Sequence, residues 1–193
     1  MGAEIPGIDF GRELDPSVVV GVRQALLEHG VVFFHDQVIG EDDHKRLARC
    51  FGDIFVHPCF VDGDDPEVVM VVRELGDTRI VGEDWHSDTT MMPSPPMGSI
   101  LYAMEVPDYG GDILFANQYL AYEALSDGMK RLLGDLSAVH SDRLVAGPAA
   151  AARSANRATK VRTDTNWRET QNVHPVVRTH PETGRQCLFV NHS

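Results

Sequence analysis

Cysteine is scarce in this chain, with three among 193 residues (Cys50, Cys59 and Cys187) and no pair at CxxC spacing. An odd number without ligand spacing argues against a disulfide framework and a thiolate metal site, and reads as reduced thiols in a cytoplasm. Long apolar runs are also missing. Nothing approaches the roughly 20 residues a transmembrane helix needs, and "MGAEIPGIDF" has no basic stretch leading into an apolar block. Basic residues number 17 against 29 acidic ones, for a formal net charge of −12. That balance disfavours nucleic acid and anionic membrane surfaces, both of which would repel the chain.

What is present is ordinary for a globular protein: 42% hydrophobic and 24% charged residues. The length suits one domain with a real core, and no internal repeat or linker divides it. "GAEIPGIDF" reads as a short strand. Asp15 and Pro16 then start a helix as N-cap and first-turn proline, and "SVVVGVRQALLEH" runs to Gly30 as its stop. "VVFFHD" (31–36) reads as a buried strand and "EDDHKRLARCF" (41–51) as a second helix, acidic at its start and basic later. The β-branched segments 67–75, 98–106 and 111–117 read as strands, and 119–140 as two helical pieces. "HPVVRTHPETGRQCLFVN" closes the chain as two strands around a turn at Glu182, Thr183, Gly184 and Arg185.

Segment 143–168 shows neither period and is too long for an ordinary connection. It carries Arg143, Arg153, Arg157, Lys160, Arg162 and Arg168 against the single acid Asp164. Two readings stay open: a solvated loop, or a lid whose cations draw in an anionic small molecule.

The stretch "EDWHSDTTMMPSPPMGSI" (83–100) sets His86 and Asp88 two residues apart. On extended backbone, residues i and i+2 share a face, so both could reach one metal ion. A second histidine would complete the facial triad of non-haem Fe(II) oxygenases. Spacing alone decides little, because chance gives about 1.4 H-x-[DE] matches in such a composition. The chain has three, at His86/Asp88, His140/Asp142 and His180/Glu182. The second lies at a helix end and the third in a hairpin turn, so both read as surface or capping residues. The first stands where an extended segment enters a β-rich core.

"WHSDTTMMPSPPMGSILYAMEVPDYGGDILFANQYLAYEALS" closely resembles the taurine dioxygenase family of Fe(II)/2-oxoglutarate-dependent oxygenases. Upstream, "LLEHGVVFFHDQ" and "FGDIFVHP" resemble its N-terminal half; downstream, "HPVVRTHPETGRQCLFVN" resembles a hairpin of its jelly roll. The resemblance implies a mainly β fold with flanking helices, a double-stranded β-helix, over one domain, 1–193, with 143–168 as a lid. It implies His86 and Asp88 as Fe(II) ligands and 2-oxoglutarate as co-substrate with O₂. It places His57 ("FVHP"), Phe60, Gly82, Thr89 and Met91 against a small anionic organic substrate. Trp85 is expected to pack beneath the site, and Gly110-Gly111 to form a tight entry to the next strand.

The chain also departs from that pattern. After Gly-Gly-Asp the family usually carries a threonine whose hydroxyl helps hold 2-oxoglutarate; here Ile113 offers no hydrogen bond. Phe60, Gly82 and Met91 replace a tyrosine, an asparagine and a phenylalanine, which disfavours taurine and favours an aryloxyalkanoate, a sulfonate or an alkyl sulfate. In the family the second iron histidine and the 2-oxoglutarate arginine lie beyond "LFVN". The domain is therefore expected to lack its C-terminal strands and to expose a strand edge prone to association as a homo-oligomer. Fe(II)/2-oxoglutarate oxygenase is the leading reading. A non-catalytic remnant or small-anion-binding jelly roll is its main alternative, and a cupin-like Zn²⁺ or Mn²⁺ enzyme a weaker one.

Overall fold

The computed structural model describes residues 1–57, 65–79, 81–154, 156, 158–159 and 167–191. These divide into two compact units interleaved in sequence. One comprises Met1–Ile54, Ser99–Glu123 and Thr179–Cys187; the other comprises Phe55–Gly98, Ala124–Arg178 and Leu188–Ser193.

In the first unit, β1 (Ala3–Glu4) pairs in parallel with β2 (Val32–Phe33) across helix α1 (Pro16–His29). Asp15 caps α1 by accepting from the Ser17 N–H, and Gly30 closes it in a left-handed conformation at φ 77°. Both ends follow the expected signals. Helix α2 (Glu41–Arg49) likewise has Glu41, Asp42 and Asp43 in its first turn and Arg46 and Arg49 in its last, which complements its dipole. Phe10, Val22 and Leu47 are buried, and the Phe10 ring meets Phe34 edge-on at 4.7 Å. The strand expected over 31–36 is shorter than that, and Phe33 is exposed.

In the second unit, α4 (Asp127–Gly134), capped by Ser126, leads into β3 (Ser137–Ser141). β3 pairs antiparallel with β4 (Gln171–Pro175), setting Ala138 opposite His174 and His140 opposite Asn172. The two helical pieces expected over 119–140 are α3 (Gln118–Glu123) and α4, but the last residues of that span are strand. The closing hairpin is borne out as β5 (Val177–Thr179) and β6 (Gln186–Leu188), which pair around a turn at 181–183.

Three expected strands are not found: 67–75, 98–106 and 111–117 carry no strand. Val71, Leu101, Met104, Val106 and Leu114 are exposed there. A β-branched run becomes a strand only when its N–H and C=O groups find a ladder partner, and among the described residues these have none. Segment 143–168 is not wholly aperiodic, because Gly147–Ser154 forms a helix, α5. The Trp167 ring lies where a Cβ at Gly147 would sit, within 2.8 Å, so only glycine fits there. Thr159 accepts from the Val72 N–H at 2.7 Å and donates to the Val72 carbonyl at 2.9 Å. The Ala158 N–H donates to Asp77. Of the basic residues in this segment, Arg157, Lys160 and Arg162 lie outside the described residues.

His140 and Asp142 are not the surface residues that their sequence position suggests. Both are only 4% exposed. His140 stacks on Phe189 at 5.0 Å and meets His174 edge-on at 5.3 Å. Burial, then the neighbouring His174, pushes the His140 imidazole below its ordinary pKa. Asp142 accepts from the Thr170 N–H at 3.0 Å and from the Trp167 indole at 3.4 Å.

Candidate metal centre

His86 and Asp88 stand on an irregular segment rather than on a strand, and residues 88–91 form a turn. The pair nevertheless comes together: His86 Nε2 lies 3.3 Å from Asp88 Oδ1. His86 Nδ1 lies 2.7 Å from the Asp84 carbonyl, which can only accept, so Nδ1 carries a proton. Gly82 backs onto the same ring at φ 75°, and a Cβ there would sit 3.1 Å from His86 Cε1. The site thus needs glycine at 82 both for its backbone angle and for the imidazole beside it.

Without metal, His86 donates from both nitrogens, as an imidazolium does. The Asp88 carboxylate, aided by the Asp84 carbonyl and opposed by burial, raises its pKa to about 9. Asp88 and Asp84 therefore stabilise the metal-free fold fully below pH 6.5, and this contribution disappears as pH rises through about 9. The chemistry of the donor set fits a metal ion. Two donors each about 2.1 Å from one ion and at a right angle lie about 3.0 Å apart, close to the observed separation. Nδ1–H held on a backbone carbonyl would leave Nε2 as the donor to an ion, the usual outer arrangement of a metal-bound histidine. Among the described residues no group of three His, Cys, Asp or Glu side chains converges to hold an ion.

Binding must expel the Nε2 proton. Apparent Fe(II) affinity is therefore expected to rise about tenfold per pH unit up to about pH 9 and then to level off. Anaerobic titrations at pH 6.5, 7.5 and 8.5 check this, and equal affinities at all three would contradict it.

Of the other expected site residues, His57 is half-buried with the Phe55 ring edge-on at 6.1 Å. Burial lowers its pKa, and Asp88 acts in the opposite sense. Thr89 is 8% exposed, sits at φ 51°, and its buried Oγ1 has no partner among the described residues. A β-branched residue in that region is strained. The Met91 side chain is buried, at 4% exposure. Phe60 and Cys59 lie outside the described residues. Ile113 belongs to the first unit and is exposed. Trp85 does not pack beneath the site, being 62% exposed, because the irregular backbone at 84–87 turns its indole outward. Gly110 and Gly111 do adopt positive φ, 78° and 77°, although no strand follows them. The Asp84 carbonyl was not foreseeable, since a backbone acceptor leaves no mark on residue type.

A histidine and a carboxylate presented together, with the histidine tautomer fixed from behind, have the chemistry of two donors to a single metal ion. The chain belongs to the TauD/TfdA family: the pattern of the family described as "Taurine catabolism dioxygenase TauD, TfdA family" matches residues 1–193. It is 36% identical over 196 residues to an alkylsulfatase of Acinetobacter baylyi, covering 100% of this chain and 60% of that protein. It is 32% identical over 196 residues to an alpha-ketoglutarate-dependent sulfate ester dioxygenase of Pseudomonas putida, covering 100% of this chain and 64% of that one. The crystal structure of a taurine dioxygenase from Burkholderia xenovorans superposes with a TM-score of 0.74 at 33% identity, over 97% of this chain and 59% of that one. The chain therefore spans less than two thirds of each of these relatives. Among the described residues no helix is long and apolar enough to cross a membrane.

Proposed function

We propose that the chain is the iron- and 2-oxoglutarate-binding part of an oxygenase that hydroxylates a small anionic organic substrate, with sulfate esters favoured over sulfonates and aryloxyalkanoates. The reading includes a jelly-roll domain over 1–193, a lid at 143–168, and a cytoplasmic, self-associating protein. The observation that carries it is the His86–Asp88 pair at 3.3 Å with Nδ1 fixed on Asp84. Fe(II) with 2-oxoglutarate and O₂ would supply the oxidant that converts a C–H to a C–OH, with succinate and CO₂ as co-products.

The chain's own residues hold and orient. His86 Nε2 and Asp88 Oδ1 give the metal two adjacent donors, and the third comes from outside the described residues. His57 matches the family histidine that hydrogen-bonds the substrate's anionic group; it is half-buried, and burial lowers its pKa. The Thr89 hydroxyl, without a partner among the described residues, is a second donor suited to the same anion. Gly82 and Met91 add no charge or hydrogen-bonding side chain to the pocket, which suits a substrate with an apolar chain. Ile113 gives 2-oxoglutarate no hydrogen bond, so its grip relies on iron chelation and on groups outside the described residues. The sulfate-ester names of two relatives support that substrate class.

Calorimetry on anaerobic protein with Fe(II) and 2-oxoglutarate tests the reading, with hexyl sulfate, 2-phenoxypropionate and taurine as ligands. Hexyl sulfate is expected to bind at least about tenfold tighter than taurine, whose ammonium finds no polar partner to replace its water. Taurine binding tightest would overturn this account of the pocket. Admitting O₂ and measuring succinate then separates an oxygenase from an anion-binding protein. That second reading is favoured by there being only two metal donors together among the described residues.

A further inference from the structure

The segment that carries the metal pair has no strand ladder to fix it. Instead, three side chains distant in sequence grip its backbone carbonyls. Asn191 Nδ2 donates to the Ser87 carbonyl, between the two ligands, at 3.2 Å. Asn172 Nδ2 donates to the Met91 carbonyl through a short hydrogen bond. His174 Nε2 lies 3.0 Å from the Met92 carbonyl and donates to it. Asn172 and His174 alternate along β4, so they project from one face of the β3–β4 pair. Asn191 lies two residues past Phe189, whose N–H is bonded to the Val176 carbonyl at 2.8 Å.

An independent feature points the same way. Thr89, directly after Asp88, is held at φ 51°, and its carbonyl accepts from the Met92 N–H at 3.0 Å. A strained β-branched residue persists only where its surroundings over-determine it. Contacts on Ser87, Met91 and Met92 bracket Thr89 on both sides and supply that constraint.

We propose that Asn172, His174 and Asn191 are positioning residues, a clamp that sets the separation of His86 and Asp88 by gripping the carbonyls of Ser87, Met91 and Met92. The inference rests on the metal-site reading. Ligating residues on a ladder inherit their spacing from the sheet; on this irregular turn the spacing must come from side chains. Loosening a grip lets Asp88 and His86 drift apart, so metal affinity falls even where the fold survives.

Co(II) is the probe, followed by calorimetry and by its visible absorption, with thermal melting of the metal-free protein alongside. Asn191→Ala and His174→Phe are each expected to weaken Co(II) about tenfold and to alter the absorption band. His174→Gln, whose amide N–H can occupy the Nε2 position, is expected to restore both. His86→Ala sets the baseline. If His86→Ala binds Co(II) like wild type, the metal reading falls and takes the clamp with it. If His86→Ala loses the ion while Asn191→Ala keeps wild-type affinity and spectrum, the clamp alone is refuted. Asn191→Ala keeps this decision available should His174→Phe fail to fold. Lowered melting temperatures with unchanged Co(II) affinity would reduce all three residues to a structural role and overturn the proposal.

Discussion

Asp142→Ala is expected to destabilise the protein by about 3 kcal/mol, because it removes a buried carboxylate that accepts two hydrogen bonds. The carboxylate is 4% exposed and accepts from the Thr170 N–H and the Trp167 indole. Its own backbone N–H donates to the Thr170 carbonyl at 3.0 Å, so one residue fastens the end of β3 to the approach of β4. The Asp142 carbonyl also accepts from Val145 and Ala146, at 2.9 and 2.7 Å, as the chain turns toward α5. Alanine keeps these backbone bonds and loses only the side-chain ones. For a chain of this length the loss corresponds to a fall in melting temperature of roughly 6–12 °C. Asp142→Asn retains one good acceptor but turns an amide N–H toward a donor, so it should fall between wild type and alanine. Urea unfolding and calorimetric melting measure both. A change for Asp142→Ala within about 0.5 kcal/mol would class the position with ordinary surface sites and contradict the assignment.

How much of this was legible in the sequence follows from the range of the forces involved. Helices α1 and α2 were readable because their signals are local: Asp15 and Pro16 at one start, Gly30 at one stop, three acids opening the other. Helix α5 was missed because "GPAAAARS" has no apolar period, although alanine is the best helix former and Gly-Pro marks a start. The segments 67–75, 98–106 and 111–117 carry strand propensity without a strand, because pairing is decided by a distant partner rather than by composition. In the site, His86 and Asp88 were legible from spacing and flanks. The burial of His140 and Asp142 was not, since their partners (Phe189 and His174 for one, Trp167 and Thr170 for the other) are distant in sequence and leave no local mark. Trp85 was misplaced for the same reason. Aromatic character predicts that a ring will seek cover; only the backbone angles decide whether it finds any.

His86→Ala and Asp88→Ala are each expected to weaken anaerobic Fe(II) binding by more than about 100-fold, beyond the 10–100-fold typical of residues that merely support a ligand. Among the described residues no third donor stands ready to replace either one. His180→Ala is the matched control. Its imidazole belongs to the β5–β6 turn, where Glu182 is already engaged by Arg23 through contacts of 2.8 and 2.9 Å. That variant should bind Fe(II) as wild type does. Asp88→Asn adds a reading that does not depend on iron at all. The carboxylate is the largest cause of the raised His86 pKa, so its removal should bring the imidazole down from about 9 toward the ordinary 6.5. The Asp84 carbonyl, still bonded to Nδ1, holds back part of that fall. An NMR titration of the His86 ring protons in metal-free protein follows the midpoint directly. With the pKa lowered, less proton must be displaced near neutrality, so the residual metal affinity of Asp88→Asn should vary less steeply between pH 7.5 and 8.5 than that of wild type. A His86 midpoint unmoved in Asp88→Asn would mean that the 3.3 Å contact does not exist in solution, and the two residues would lose their claim to a shared ion.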